Sequence, residues 1–192
     1  MKREGKKVLI AILLLIAIAG CSKKKDDHSH PAPPKDIQVV YESEKHIITC
    51  QPNLDLRIVK VYAPSIDKAS KVYKNVSPQL LCSLVDEEGK WNSIAVSDEG
   101  AMGPTQLMPE TAKDMGVVHP FNIDENVMGG AKYLSTLIKY YHGDIRWALI
   151  AYNQGIGNCN KIMRGKIRMP FGTRCYVNRI MRTKQKCDVA LR

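Results

Sequence analysis

The chain has 192 residues, 44% of them apolar and 25% charged, with a formal net charge of +10. That is room for one ordinary domain with short extensions and enough apolar mass for a core, which excludes a fully disordered chain. No CxxC or Cys/His spacing suggests a metal site, and no cofactor motif is present, so the expected metal and cofactor are both none. The amino terminus reads separately from the rest. Met1 to Lys7 is basic, and Val8 to Ala19 is a run of twelve apolar residues, too short to span a bilayer. Residues 1–20 therefore read as a secretory signal.

The end of that signal, Ile18-Ala19-Gly20-Cys21, resembles the lipobox of bacterial lipoproteins. The resemblance implies that Cys21 is acylated and begins the mature chain, giving a membrane partner through a lipid anchor. Ser22 after the cysteine resembles the outer-membrane sorting pattern, which implies the periplasmic face of the outer membrane in the cell envelope. Residues 21–35 are polar and proline-rich and read as a tether, with His28 and His30 solvated in it. Export would place Cys50, Cys82, Cys159, Cys175 and Cys187 in a disulfide-permissive compartment, and their odd number leaves the pairing open. Without residues 1–20 the balance is 25 basic against 18 acidic residues, or +7; from Asn160 to Arg192 there are ten basic residues and one acid, or +9. The rest of the mature chain is thus about −2. A basic end on an exported chain points to an anionic envelope polymer or envelope-spanning machinery, and away from nucleic acid.

Residues 36–64 alternate in part, in "DIQVVY", "HIITC" and "LDLRIVKVYA", and predict a small strand or hairpin element. From Ser65 the pattern turns helical. Ser77-Pro78 has the form of an N-cap followed by a first-turn proline. Val127, Ala131, Leu134, Ile138 and Tyr141 repeat at helical spacing, and His142-Gly143-Asp144 closes that helix before "IRWALIAYNQG". Residues 65–185 read as a helical domain, and 186–192 as a basic tail.

Within "LLCSLVDEEGKWN" three consecutive carboxylates, Asp86, Glu87 and Glu88, end a helical run. A helix turns about 100° per residue, so three neighbours must point three ways. Glu88 stands at i+7 from Leu81, on the stripe made by Leu81, Leu84 and Val85, while Asp86 and Glu87 are expected in water. Gly89 fits a left-handed helix stop. An inward carboxylate holds its proton more tightly, as a general acid near neutral pH must; a buried structural glutamate paired with an arginine would look the same from this stretch alone.

"EGKWNSIAVSDEGAMGPTQLMPETA" resembles the signature of the soluble lytic transglycosylase family, glycoside hydrolase family 23, which reads like ESxFNPxAVSxxGAxGLMQLMPxTA. The interval of twelve residues from Glu88 to Gly100 aligns Glu88, and not Glu87, with the family's catalytic glutamate. "NIDENVMGGAKYL", "AYNQGIG" and "TRCYV" match later blocks in order, and the likeness runs from about Ala69 to Ile180. It implies an all-α, lysozyme-like domain, which here would follow the small N-terminal extended or hairpin element read at residues 36–64. It also implies an enzyme that cleaves the β-1,4 bond between N-acetylmuramic acid and N-acetylglucosamine of peptidoglycan strands, leaving a 1,6-anhydro end. Carried over by residue, Glu88 is the catalytic acid and then base; Ser97, Gln106, Met108, Tyr152, Asn153 and Tyr176 are expected at the substrate. Gly100 and Gly103, with no side chain, would let the backbone approach a sugar closely or simply turn a loop, and the positions of Cys159 and Cys175 next to the "AYNQG" and "YV" blocks suggest a bridge that braces the cleft.

Three positions depart from the pattern: Gly89 for serine, Ser93 for proline and Gly172 for the glutamate of the ETxxYV block. A hydrolytic muramidase of the same fold, or a non-catalytic peptidoglycan-binding assembly lipoprotein, are the alternatives. Small members of the family often serve a secretion, conjugation or pilus machine by opening the wall locally.

Overall fold

Six helices succeed one another among the described residues of the computed structural model, which comprise 56–190 and the pairs 41–42 and 45–46: α1 Leu56–Val72, α2 Pro78–Glu88, α3 Pro109–Met115, α4 Ile123–Tyr140, α5 Ile145–Met163 and α6 Phe171–Ala190. Ahead of them β1 (Tyr41–Glu42) and β2 (Lys45–His46) pair antiparallel, Tyr41 opposite His46. All belong to one unit, residues 32–192. The domain is mainly helical, as expected. The signal, Cys21, the tether and Cys50 lie outside the described residues, as does the side chain of Cys187.

The core is built around α2. Leu80, Leu81, Leu84 and Val85 are buried in one cluster that also takes in Val127, Ala131 and Leu134 of α4, Leu149 of α5 and Val177 and Ile180 of α6, and α6 is the helix that packs most closely on α2. Each such aliphatic side chain stabilises by about 1.5–3 kcal/mol relative to exposure. The caps are where the residue types place them: Ser77 accepts from the Leu80 amide, with Pro78 in the first turn. Asn122 accepts from Glu125, and Asp144 from Arg146 and Trp147. The helical repeat from Val127 to Tyr141 is buried throughout.

Four expectations change. Residues 56–63 are helical and not extended: α1 starts at Leu56 and continues through Pro64. Alternation at Leu56 and Ile58 suggested a strand, but Tyr62, Ile66 and Ala69 repeat at helical spacing and are buried, leaving Ile58 and Val61 exposed. The Ser65 hydroxyl also donates to Asp124 at the start of α4. Packing of that stripe decides the local structure.

Asp86 is buried and accepts from the indole nitrogen of Trp91 at 2.9 Å, and Glu87 accepts from Arg179 of α6 at 2.6–3.0 Å. Neither is a freely solvated carboxylate, because α6 and the Trp91 turn cover faces of α2 that a one-sided stripe assigns to water. Cys159 remains a buried thiol that donates to the Trp147 carbonyl at 3.5 Å, whereas Cys175 is disulfide-bonded, so no bridge joins these two.

Gly89, finally, is right-handed (φ −90°, ψ −7°), and the left-handed residues are Lys90 (φ 50°) and Trp91 (φ 62°). Glycine is needed at 89 for space: a Cβ there would stand 2.6 Å from the Pro104 carbonyl oxygen and 2.7 Å from its Cα. Both neighbours are backbone and cannot rotate away. Gly89→Ala should therefore destabilise the fold by about 1–3 kcal/mol, read as a lower midpoint in denaturant melts; an unchanged midpoint would refute the crowding.

Candidate active site

Glu88 is the last residue of α2, and the tight turn after the helix holds its carboxyl in place. The chain reverses through the left-handed pair Lys90 and Trp91. Backbone of that kind costs energy and persists only where its surroundings fix it. Trp91 is buried, its ring edge-on to Tyr62 at 5.3 Å, its indole bonded to Asp86 and its carbonyl accepting from the Tyr62 hydroxyl at 3.0 Å.

Across from α2, α6 brings the Tyr176 hydroxyl to Oε1 of Glu88 as a donor at 2.7 Å. One turn further on, Arg179 holds the neighbouring Glu87 with both Nε and Nη2. Two parallel contacts therefore tie α6 to the end of α2. Glu88 is half-buried, and desolvation, opposed by the Tyr176 hydrogen bond, raises its pKa from 4.5 to about 7; the Glu87 charge adds to the rise and Lys90 lowers it. A carboxyl with that value carries a proton at neutral pH for much of the time, as an acid catalyst requires.

The transglycosylase SLT domain family matches residues 65–168, more than half of the chain. The chain belongs to the transglycosylase SLT domain family. It is 40% identical over 96 residues to a transglycosylase of Enterobacteria phage PRD1, covering 50% of this chain and 36% of that protein. It is 42% identical over 88 residues to membrane-bound lytic murein transglycosylase F of Pseudoalteromonas translucida, covering 43% and 19%. The chain thus spans about a fifth to a third of these relatives' length. Among solved structures it resembles the 70 kDa soluble lytic transglycosylase of Escherichia coli, with a TM-score of 0.61, 19% identity, and 68% of this chain on 24% of that one. A second likeness is to an inactive mutant of lytic transglycosylase Slt from Pseudomonas aeruginosa, with a TM-score of 0.53, 24% identity, and 73% of this chain on 24% of that one. These likenesses show the lysozyme-like fold.

In this SLT domain the loop after Trp91 folds on itself before α3. Val96 bridges Met102, which bridges Leu107. The Ser97 hydroxyl accepts from the Ala101 amide at 3.1 Å and holds the turn. Gln106 has a positive φ (48°), and its amide nitrogen donates to the carbonyls of Gly103 at 2.8 Å and Ala95 at 3.2 Å. Both amide donors thus serve the loop, and the side-chain oxygen is the group Gln106 can offer a ligand. Met108 is 43% exposed, at the entry to α3. Gly103 is required by the packing: its φ is +74°, and a Cβ would meet the Pro120 oxygen at 2.2 Å and Asn126 Nδ2 at 2.4 Å. It is a packing glycine under the loop.

Tyr152 and Asn153 lie on α5 just before its break at Gly155 (φ 75°, ψ 153°). The Tyr152 hydroxyl donates to the Thr105 carbonyl at 2.9 Å, so the phenol bonded to Glu88 is that of Tyr176. Tyr152 is near enough that the Glu88 charge, after burial, helps raise its pKa. Asn153 Oδ1 accepts from Thr173 at 2.9 Å, which fixes the start of α6 to α5.

Residues not singled out by sequence complete the frame. Asn126, wholly buried, accepts from the Thr105 amide and hydroxyl at 2.8 and 2.7 Å and donates to the carbonyls of Met102 and Pro120. Its place in "NIDENVMGG" was legible as a block, its polar role was not. Of the departures from the family pattern, Gly89 has a steric reason, the Pro104 backbone passing beside it. Gly172 is exposed with nothing within 4 Å of where its Cβ would lie, so nothing in the packing demands glycine there.

The charges around Glu88 set the direction of its titration. Tyr176→Phe removes a donor to the charged form and should raise the midpoint above about 7, while Glu87→Gln removes a like charge and should lower it. Carbon-13 spectra of the Glu88 carboxyl would read both shifts, and movement in the opposite sense would contradict this electrostatic account. The linkage to stability has a definite sign. The native state holds the Glu88 proton more tightly than the unfolded chain, so this stabilising contribution is full below about pH 4.5 and is lost as pH rises through about 7. Glu88→Gln should therefore gain about 2–3 kcal/mol relative to the parent between pH 4 and pH 8, by denaturant unfolding at each pH.

Proposed function

We propose that the chain is a peptidoglycan lytic transglycosylase that cleaves the bond between N-acetylmuramic acid and N-acetylglucosamine and leaves a 1,6-anhydro muramyl end. The observation that carries this reading is Glu88, a half-buried carboxyl with a pKa near 7 and a phenol hydrogen-bonded to it, in a chain of the SLT family. In the first step Glu88 gives its proton to the glycosidic oxygen as the C1–O bond breaks. The substrate's own acetamido oxygen then supports the electron-poor C1, so no second carboxylate of the protein is required. In the second step the Glu88 carboxylate removes the proton of the muramyl 6-hydroxyl while that oxygen bonds to C1. The proton account closes, and no water is consumed.

The neighbouring acids support the one-carboxyl scheme. Glu87 is engaged by Arg179 and Asp86 by Trp91, so neither is free to serve as a nucleophile or to activate water. Tyr176 orients Glu88 and stabilises its anionic form in the second step. We assign substrate contact to Ser97, Gln106 and Met108 around it, and a positioning role to Tyr152 and Asn153 through the loop and α6 that they hold. We further propose that residues 1–20 are a signal, that Cys21 carries the lipid, and that 21–35 tether the domain at the periplasmic face of the outer membrane. There it would open the wall locally for an envelope-spanning machine.

Purified sacculi digested with the protein should release muropeptides with anhydro ends, identified by mass spectrometry. Reducing ends in their place would mean hydrolysis and refute the mechanism. Glu88→Gln should lower the rate about a thousandfold, and Tyr176→Phe about ten- to a hundredfold through loss of a hydrogen bond to a charged group. Undiminished digestion by Glu88→Gln would exclude this residue as the acid. The rate should fall as pH rises above about 7, where Glu88 loses its proton.

A further inference from the structure

Between α5 and α6 the chain runs over the surface, and from Met163 to Gly172 every residue except Met169 is exposed. Lys161, Arg164, Lys166, Arg168 and Arg174 are all exposed cations, and the sequence has no acid from Asn160 to Cys187. No ion pair joins any of the five to a carboxylate among the described residues. Set among them are three large apolar side chains in water: Met163 at 45% exposure, Ile167 at 40% and Phe171 at 52%. The Arg174 guanidinium lies 5.3 Å from the Phe171 ring centroid, over its face.

Single exposed apolar residues need no explanation, but three in a short segment with five cations outside any ion pair among the described residues are a chemical pattern. An acidic protein or wall polymer would engage the cations and leave Ile167 and Phe171 without a partner. A bilayer interface takes both kinds at once, apolar side chains in the acyl boundary and cations on the phosphates, with their stems lying along the apolar layer. No helix of the described residues is long and apolar enough to cross a membrane, so such contact would be peripheral.

We propose that the α5–α6 loop is a docking surface for the anionic phospholipid headgroups of a bilayer, with Met163, Ile167 and Phe171 entering the interface. Phe171 opens α6, and Tyr176, on the next turns of that helix, bonds Glu88. Docking would therefore hold the helix that carries Tyr176 close to the membrane and favour glycan strands lying against it. Vesicle binding requires no turnover, so the proposal stands or falls separately from the catalytic reading.

The test is sedimentation of residues 32–192, the unit that carries the whole core, with vesicles of phosphatidylcholine with and without phosphatidylglycerol, and in parallel with purified sacculi. Binding should require phosphatidylglycerol and weaken with salt. Replacing Arg164, Lys166 and Arg168 together by serine should lower partition about a hundredfold, at about fivefold per cation, and Ile167→Ser with Phe171→Ser should lower it at least tenfold. These changes touch only exposed side chains, and a Phe171→Ser single variant gives a second reading with the least disturbance. The proposal is overturned if the parent does not bind these vesicles, or if binding ignores the apolar substitutions. It is equally overturned if the loop substitutions weaken sacculus binding and leave vesicles unaffected, which would assign the surface to a wall polymer.

Discussion

The hydrogen bond from Tyr176 to Glu88 is the contact on which the rest of the architecture converges, because it ties the end of α2 to α6 across 88 residues of sequence. A buried carboxyl without a partner would be costly when charged, and one with too strong a partner would lose its proton too early. A single neutral donor is the intermediate case. It supports the anion when the anion forms, yet leaves desolvation as the larger effect, which keeps the pKa near 7. An arginine in the same place would reverse the balance. The arginine that α6 does bring, Arg179, is directed one residue away, onto Glu87.

That offset has a geometric origin. On α2, Glu87 and Glu88 are neighbours turned about 100° apart, and on α6 Tyr176 and Arg179 are separated by three residues and so lie on one face. The two helices can then match acid to phenol and acid to guanidinium at once. The Glu87–Arg179 pair screens a like charge that would otherwise raise Glu88 further, and it fixes the rotation of α6 that presents Tyr176. Exposed pairs are weak stabilisers, but Glu87 is mostly covered and its contact with Arg179 uses two nitrogens, which makes it specific in geometry.

Much of this was legible in the sequence, and the exceptions share a cause. Ser77-Pro78, the repeat from Val127 to Tyr141 and the stop at His142-Gly143-Asp144 are local signals, and the structure has each of them in place. The inward turn of Glu88 came from helical periodicity alone. The sequence alone points Asp86 and Glu87 toward water, because a single helix reveals its apolar stripe and not the partners that cover its flanks. Those partners, Trp91 in a left-handed turn and Arg179 far along the chain, are set by tertiary packing. The same limit explains α1, where a two-residue alternation competed with a helical repeat and burial decided between them, and Cys159, whose position beside a conspicuous block says nothing of where its thiol points.

Gly89 shows how one position can satisfy a local expectation for a different reason. A glycine after a helix suggests left-handed backbone, yet the left-handed turn belongs to the next two residues, Lys90 and Trp91. Position 89 supplies instead the absence of a Cβ where the Pro104 backbone passes. Pro104 precedes Thr105, whose carbonyl receives Tyr152 and whose amide and hydroxyl are held by Asn126. The close approach at Gly89 therefore lets the loop that carries Gln106 lie directly against the end of α2. A side chain at this position would meet the Pro104 backbone and shift that loop away from the end of α2.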